Sequence, residues 1–567
     1  MTRTRVSMPS LIHGVSQLSA AERQPVHALA CDNVWLTAEH GSQKRPPLIH
    51  VKKVFSGIFA DPYCHGIDRG TAGSEQYIAL LRFQAGVNSG LVFDLAGNVI
   101  PVFRNTNTYA APAYDACQYL YLNSGGTPFT EPTRNIRALS VLDYTFITNR
   151  QAAVTMASTL TTAAPTNTAH VFIRQGVFAM KYTVKIRNGT ATEYTLHAST
   201  RGDISTDFDH PAVYDAVHGH HVWDQEKPAP VGSSNIAITS VKTQDIAYAL
   251  EQRIAGNPDA DFGSNVALIN SFTVTRSGSV LKIVANTGGG LPAANTGVIT
   301  TFEVSTSQGD QLAFGIQNDT SAFSSLPLIF THDYVVKIKG NSLADEDDFW
   351  VKFTSDTASA SLSKGSWSEA AKPGIPFTWT YTASAAHPHA LIRRFYDAAV
   401  GAATVGVSGT DKCFSFEPIN LSSRAVGDLT SNQNPTFVSV TGTYLGPGGG
   451  GVSTSFPVIR RVFDFAFFRD RLVFSCDDGI SASEQGVYFN FLRTTVRALP
   501  DSDPINVRVV SDRVTHTLIS YNGKLSMFSE ELQSQLSVAP SLTPSTVENN
   551  EASRYHATDR CKPAAYK

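Results

Sequence analysis

The residues of this chain whose types and spacing come nearest to chemistry are the histidines at positions 210, 218, 220 and 221. His218 and His220 alternate along what reads as an extended segment, so both imidazoles fall on one face and could share a metal ion. No second-shell pattern accompanies them, and an exposed histidine-rich loop is the commoner outcome of such spacing. The acidic run Asp345-Glu346-Asp347-Asp348 lacks the glycine and spacing of a calcium loop and reads as a solvated hairpin turn. Asp477/Asp478 and Glu530/Glu531 are paired carboxylates. Glycoside cleavage needs two carboxyl groups facing each other about 5–10 Å apart, and neighbours on a strand point to opposite faces. No G-x-S-x-G elbow is present. The glycine-rich loops at Gly288–Gly290 and Gly446–Gly451 do not lead into Lys-Ser/Thr, so neither reads as a phosphate cradle. Arg201-Gly202-Asp203 is a chance tripeptide. The expectation is a protein that is not an enzyme, with no catalytic residue, no cofactor and no metal beyond the weak candidates His218 and His220.

The elements around these groups read as strands. The richest stretch runs from Phe467 to Ile505. Phe468, Leu472 and Phe474 interleave with Arg469, Arg471 and Val473, which predicts one apolar and one partly basic strand face. A turn at Asp477-Asp478-Gly479, an aromatic strand at Tyr488–Phe491 and a stop at Asp503-Pro504 follow. Arg469 and Arg471 are candidate structural ion-pair residues, bracing neighbouring carboxylates. Further strands are predicted at Tyr77–Leu81 and Val141–Ile147, with a hairpin over Leu91–Phe103 reversing at Gly97-Asn98. Tyr182–Gly189 and Tyr334–Asn341 share one period-two alternation, each followed by a return strand. The best helix is Thr243–Gly256, with Thr243 as cap, Asp245 at the positive end, Gly256 as stop and an apolar stripe of Ile246, Ala247, Leu250 and Ile254.

Charged residues make up 16% of the 567, against about 25% in an ordinary soluble chain. A chain this poor in charge commonly covers apolar surface by assembling. The formal net charge of −3 argues against a general nucleic-acid binder held by phosphate contacts, while leaving room for a near-neutral wall past which DNA slides. The six cysteines, at 31, 64, 117, 413, 476 and 561, have long irregular gaps and no C-x-x-C pair, as expected for reduced thiols in a cytosol-folded protein. The N-terminus has no signal-peptide core and no apolar run of membrane-helix length follows. The organisation expected is a contact arm at 1–23, β-rich propeller or platform at 24–160, inserted domains at 161–385, and a return to propeller-type strands at 386–567. Lys44, Arg45, Pro46 and Pro47 form a candidate subunit or partner contact, because the two prolines hold the basic pair in an extended chain.

Taken in order, GVSQ (14–17), QKRPP (43–47), VFDLAGN (92–98), DYTFITNR (143–150), VGDL (426–429) and FFRDRLVF (467–474) resemble the tail tubular protein B family of short-tailed, podovirus-type phages. The resemblance continues through YFNF (488–491), DSDPI (501–505), FSEELQ (528–533) and DRCKP (559–563). It implies a mainly β fold, a β-propeller-like core with inserted small α+β and β-hairpin domains, the propeller incomplete in this chain. It implies a structural virion protein that forms a hexameric tail nozzle and conducts genomic DNA during ejection. The implied partners are a tail tubular protein A-like adaptor ring, tail fibres, internal ejection proteins, and double-stranded DNA in the lumen without sequence-specific binding. The implied location is the virion tail, assembled in the host cytoplasm. A tail-associated glycan-degrading enzyme or a host-surface-binding module is the alternative.

Overall fold

The computed structural model describes residues 14–563 apart from 54–61, 70–74, 82–89, 105–117, 121–126, 128–130, 201–212, 216–219, 223–236, 239–240, 257–267, 341–347, 380–387, 397–410, 445–453, 509–513, 538–540 and the single positions 17, 25, 38, 40, 46, 49, 52, 289, 310, 478 and 561. These residues are mainly β. The chain divides into two compact units, Met1–Ala60 with Phe93–Val99, and Asp61–Val92 with Ile100–Lys567.

In the smaller unit, Val34–Thr37 pairs antiparallel with Gly41–Lys44. The reversal expected at Gly97-Asn98 is present. Gly97 has φ 79°, a left-handed value that a glycine adopts without strain, and the Asp94 carboxylate accepts the Asn98 N–H at 2.7 Å.

The larger unit contains two four-stranded antiparallel meanders. One runs Val462–Phe468, Arg471–Cys476, Gly479–Ala482, Ile505–Arg508, and the other Thr515–Tyr521, Lys524–Ser529, Gln533–Ser537, Glu548–Ser553. The Arg471–Cys476 strand is buried along its whole length. Leu472 and Phe474 enter a core with Phe437, Phe465 and Phe491, while Val473 enters a second core with Ile480, Leu518 and Met527. Each such side chain contributes roughly 1.5–3 kcal/mol by leaving water. The strand therefore has no basic, solvent-facing side, which corrects the expectation of one partly basic face. A five-stranded sheet packs nearby in the order Val102–Arg104, Asp411–Pro418, His389–Tyr396, Tyr144–Asn149, Ile136–Val141.

Between these parts lies an inserted lobe. Two four-stranded sheets, centred on Thr168–Ile173 and Lys181–Asn188, share one core with the helix Thr243–Ala255. The period-two pattern is realised: Tyr182, Val184 and Ile186 are buried while Lys185 and Arg187 pair with Glu193 on the outer side. The helix buries Ile246, Ala247, Leu250 and Ile254, and Gly256 closes it in the left-handed conformation. Thr243 is the first helical residue and not the cap; Lys242 holds that position, and its side chain does not cap the helix. A second inserted sheet, containing Val335–Ile338 and Phe349–Ser355, has its own core around Phe330, Phe353 and Tyr334.

Three predicted strands are corrected. Val141–Ile147 is split by a tight turn at Leu142-Asp143, with Leu142 at φ 52°. Phe467–Phe474 is split at Arg469-Asp470, at φ 49° and 58°. Tyr488–Phe491 is not a strand: Tyr488-Phe489 form a turn closed by the Asn490 N–H on the Val487 carbonyl at 3.2 Å, and Phe491 is buried against Phe437 at a centroid distance of 5.2 Å and Phe474 at 4.5 Å.

Candidate functional site

The strand Tyr144–Asn149 delivers Arg150 into a buried junction, where the residue is 4% exposed. Its guanidinium donates to the main-chain carbonyls of Phe463 at 3.0 Å, Arg134 at 3.3 Å, Asp559 at 3.2 Å and to that of His516. Arg137 adds a second hydrogen bond to the Asp559 carbonyl. The Asp559 carboxylate pairs with Arg134 at 2.8 Å. Three residues on, Lys562 Nζ meets the fully buried Asp464 at 3.0 Å, and the same carboxylate accepts the Leu518 N–H at 2.9 Å. Segments near 134, 150, 463, 516 and 559 thus meet at one point. Arginine suits this place because its planar fork offers five donors to acceptors around it.

The junction borders a cavity of about 580 Å³ lined by Arg134, Arg150, Arg461, His516, Glu530 and Asp559, among others. Burial draws Arg150 down to about 10 and draws His516 down as well, with the Arg150 charge adding to the latter. Burial pushes the Asp559 carboxyl up, but the Arg134 hydrogen bond and charge outweigh it and leave the group below its ordinary value. No serine, threonine or cysteine lines this cavity among the described residues. The geometry fastens chain segments and presents no hydroxyl or thiol nucleophile among the described residues.

A second clamp has the same design. Arg471, fully buried, donates to the carbonyls of Ser483 at 2.7 Å, Asp501 at 2.7 Å, Ser502 at 3.1 Å and Asp503 at 2.7 Å. The Asp503 carboxylate accepts the Thr494 hydroxyl at 2.6 Å. Two pairs of motifs far apart in sequence are therefore joined: FFRDRLVF with DSDPI through Arg471, and DYTFITNR with DRCKP through Arg150.

The family model for bacteriophage nozzle proteins matches residues 1–566. The chain belongs to the bacteriophage nozzle protein family. It is similar to the tail tubular protein gp12 of Escherichia phage T7, at 24% identity over 566 residues, which cover 98% of this chain. The chain spans 56% of that relative's length.

The other predicted positions in this nozzle-family chain fall as follows. Lys44, Arg45 and Pro47 are exposed, and Pro46 lies outside the described residues. His220 and His221 lie on a short strand paired with Val213–Asp215, while His210 and His218 lie outside the described residues. Arg469 occupies a tight turn with its guanidinium 6.0 Å from the Phe468 ring centre, and its neighbour Asp470 accepts the Tyr488 hydroxyl at 2.6 Å. Asp477 accepts the Arg461 N–H at 2.8 Å, and burial pushes its carboxyl up; Asp478 lies outside the described residues. Of the acidic run only Asp348 is described, and it is buried and paired with Lys337, not solvated.

Sequence reasoning missed a set of histidine–hydroxyl pairs, of which His65–Ser140 at 2.8 Å has the outline of a base and nucleophile. Burial, with the Lys562 charge adding to it, lowers His65 to about 4, too weak a base near neutrality. His170–Thr331 at 3.0 Å is deeper still, with its ring stacked 3.9 Å from Phe330. A third hub gathers Arg69, Arg393 at 3.3 Å and Lys412 at 2.9 Å on Glu75.

Proposed function

We propose that this chain is a structural subunit of a phage tail nozzle, six copies of which surround a lumen that conducts genomic DNA during ejection. The observation that carries the reading is the family match over residues 1–566. The two consecutive four-stranded meanders support a β-propeller, whose blades have that topology. In this reading the chain sits in the virion tail after assembly in the host cytoplasm, attached to an adaptor ring with fibres nearby.

The role is passive. DNA carries one negative charge per about 1.7 Å of helix axis, so a strongly basic wall would hold it by its phosphates. With 45 basic against 48 acidic side chains, the chain is compatible with a wall that lets DNA slip. The arginine clamps serve this role by keeping each subunit rigid with main-chain acceptors, which leaves no free cation at those points to grip a passing phosphate. Cryo-electron microscopy and mass measurement of purified virions test the reading: six copies around one axis are expected, and a stable monomer absent from virions would overturn it.

A further inference from the structure

The smaller unit has no core of its own. Nine of its large apolar side chains stand in water, among them Leu29 at 70%, Trp35 at 56% and Leu48 at 83% exposure. Ala28 and Phe93 are buried, yet neither belongs to any hydrophobic cluster of the described residues. Its sheet has two strands, Val34–Thr37 and Gly41–Lys44, and no third strand pairs with either among the described residues. Trp35 and Leu36 point to opposite faces, so apolar groups stand on both sides of the ribbon. A two-stranded hairpin is at best marginally stable in water, so this one needs a cover.

Charge indicates what covers it. The smaller unit, residues 1–60 and 93–99, holds seven Lys and Arg against four Asp and Glu, a net of +3. The rest of the chain holds 38 against 44, a net of −6. Lys44, Arg45 and Lys53 are exposed and have no ion-pair partner among the described residues. In the larger unit, Glu548–Ser553 is the outer strand of its meander, with no further strand beyond it among the described residues. It is exposed at Glu548, Asn550, Glu551 and Ala552, and its only charges are acidic. Glu551 pairs with Arg554 at 2.6 Å in an exposed contact of the weak kind, and Glu548 has no ion-pair partner among the described residues.

We propose that the hairpin at 34–44 of one copy adds to the Glu548–Ser553 edge of the next copy. Main-chain hydrogen bonds would extend the meander, Lys44 and Arg45 would face Glu548 and Glu551, and the apolar ribbon would leave water. The contact joins different surfaces on the two copies, so its repetition around an axis closes a ring, which a self-matching contact does not. The inference rests on the reading of the chain as a nozzle subunit and names the surfaces by which subunits meet.

Sedimentation of the full chain over a range of concentrations tests it. Lys44→Glu with Arg45→Glu is expected to raise the concentration needed for assembly at least roughly tenfold, and Glu548→Lys with Glu551→Lys to do the same. All four changes together are expected to restore assembly, a result that misfolding of either pair could not give. Unchanged assembly in either pair, or no recovery in the fourfold variant, overturns the proposal, while six copies in the parent leave the nozzle reading standing. A parent chain that sediments as a monomer throughout also overturns the proposal, and its absence from virions would overturn the nozzle reading with it.

Discussion

Arg150 and Asp559 are 409 positions apart in sequence, and the Arg150 guanidinium donates to the Asp559 carbonyl at 3.2 Å. A surface ion pair contributes about 0–1 kcal/mol. This contact differs because the donor is buried and serves three further carbonyls that have left water with it. Arg150→Met is expected to destabilise the chain by about 3–5 kcal/mol, since the acceptors are left without their donor. Arg150→Lys is expected to restore only part of that, because a single ammonium cannot span the fork's reach. Urea unfolding of the three proteins decides it; a loss below about 1 kcal/mol in the Met variant would show that water satisfies the junction.

Glu75 collects three cations, and removing its charge is expected to cost about 1–3 kcal/mol, because Arg393 is left buried with a lost partner. Burial pushes this carboxyl up, but the Lys412 and Arg69 hydrogen bonds and the Arg393 charge hold it at about 2. The unfolded chain protonates the group at its ordinary value, so the contribution is present above that value and fades as pH falls towards 2. Glu75→Gln should therefore match the parent at very low pH and fall below it at neutrality, in denaturant midpoints taken across the range.

His65 works in a different window. Its folded value of about 4 lies below the ordinary 6.5, so the unfolded chain binds the extra proton first. Stability from the neutral ring is present above 6.5 and declines as pH drops from there to about 4. His65→Gln keeps a hydrogen-bonding group opposite Ser140 and should flatten this part of the stability profile. An unchanged slope between those limits would remove His65 as its source.

Gly189→Ala is expected to cost about 1–3 kcal/mol, combining a strained left-handed backbone with a clash on the Ala294 carbonyl. Gly290→Ala makes the comparison informative: it shares the positive φ but meets open space, so only the backbone part of the cost should remain. Thermal unfolding of both variants separates the two effects. Equal shifts would mean that the loop at 294 simply moves away.

What could be read from the sequence was whatever a strict period or a single special residue dictates. The alternation at Tyr182–Asn188 and the stop at Gly256 are such cases, as is the turn at Gly97-Asn98. The turns at Leu142-Asp143 and Arg469-Asp470 were hidden because leucine and arginine carry no turn signal, and the flanking residues continue the strand alternation without a break. Tyr488–Phe491 misled in the opposite sense: aromatic residues suit strands, but here they are drawn individually into a core that exists only in the folded chain. The candidate site was least legible of all. An arginine reads as a surface residue until tertiary structure brings carbonyls to it, and the acceptors of Arg150 come from segments that no local pattern connects.

The clamp at Asp559 also sets a timetable. Each meander pairs neighbours in sequence and is able to form soon after its strands leave the ribosome, whereas the junction at Arg150 stays open until Asp559 has emerged. Until those 409 residues have been synthesised, the Arg150 guanidinium lacks its Asp559 acceptor. A nascent chain that stalls after the meanders and before Asp559 is left with folded sheets and an unsealed seam, a state open to premature association.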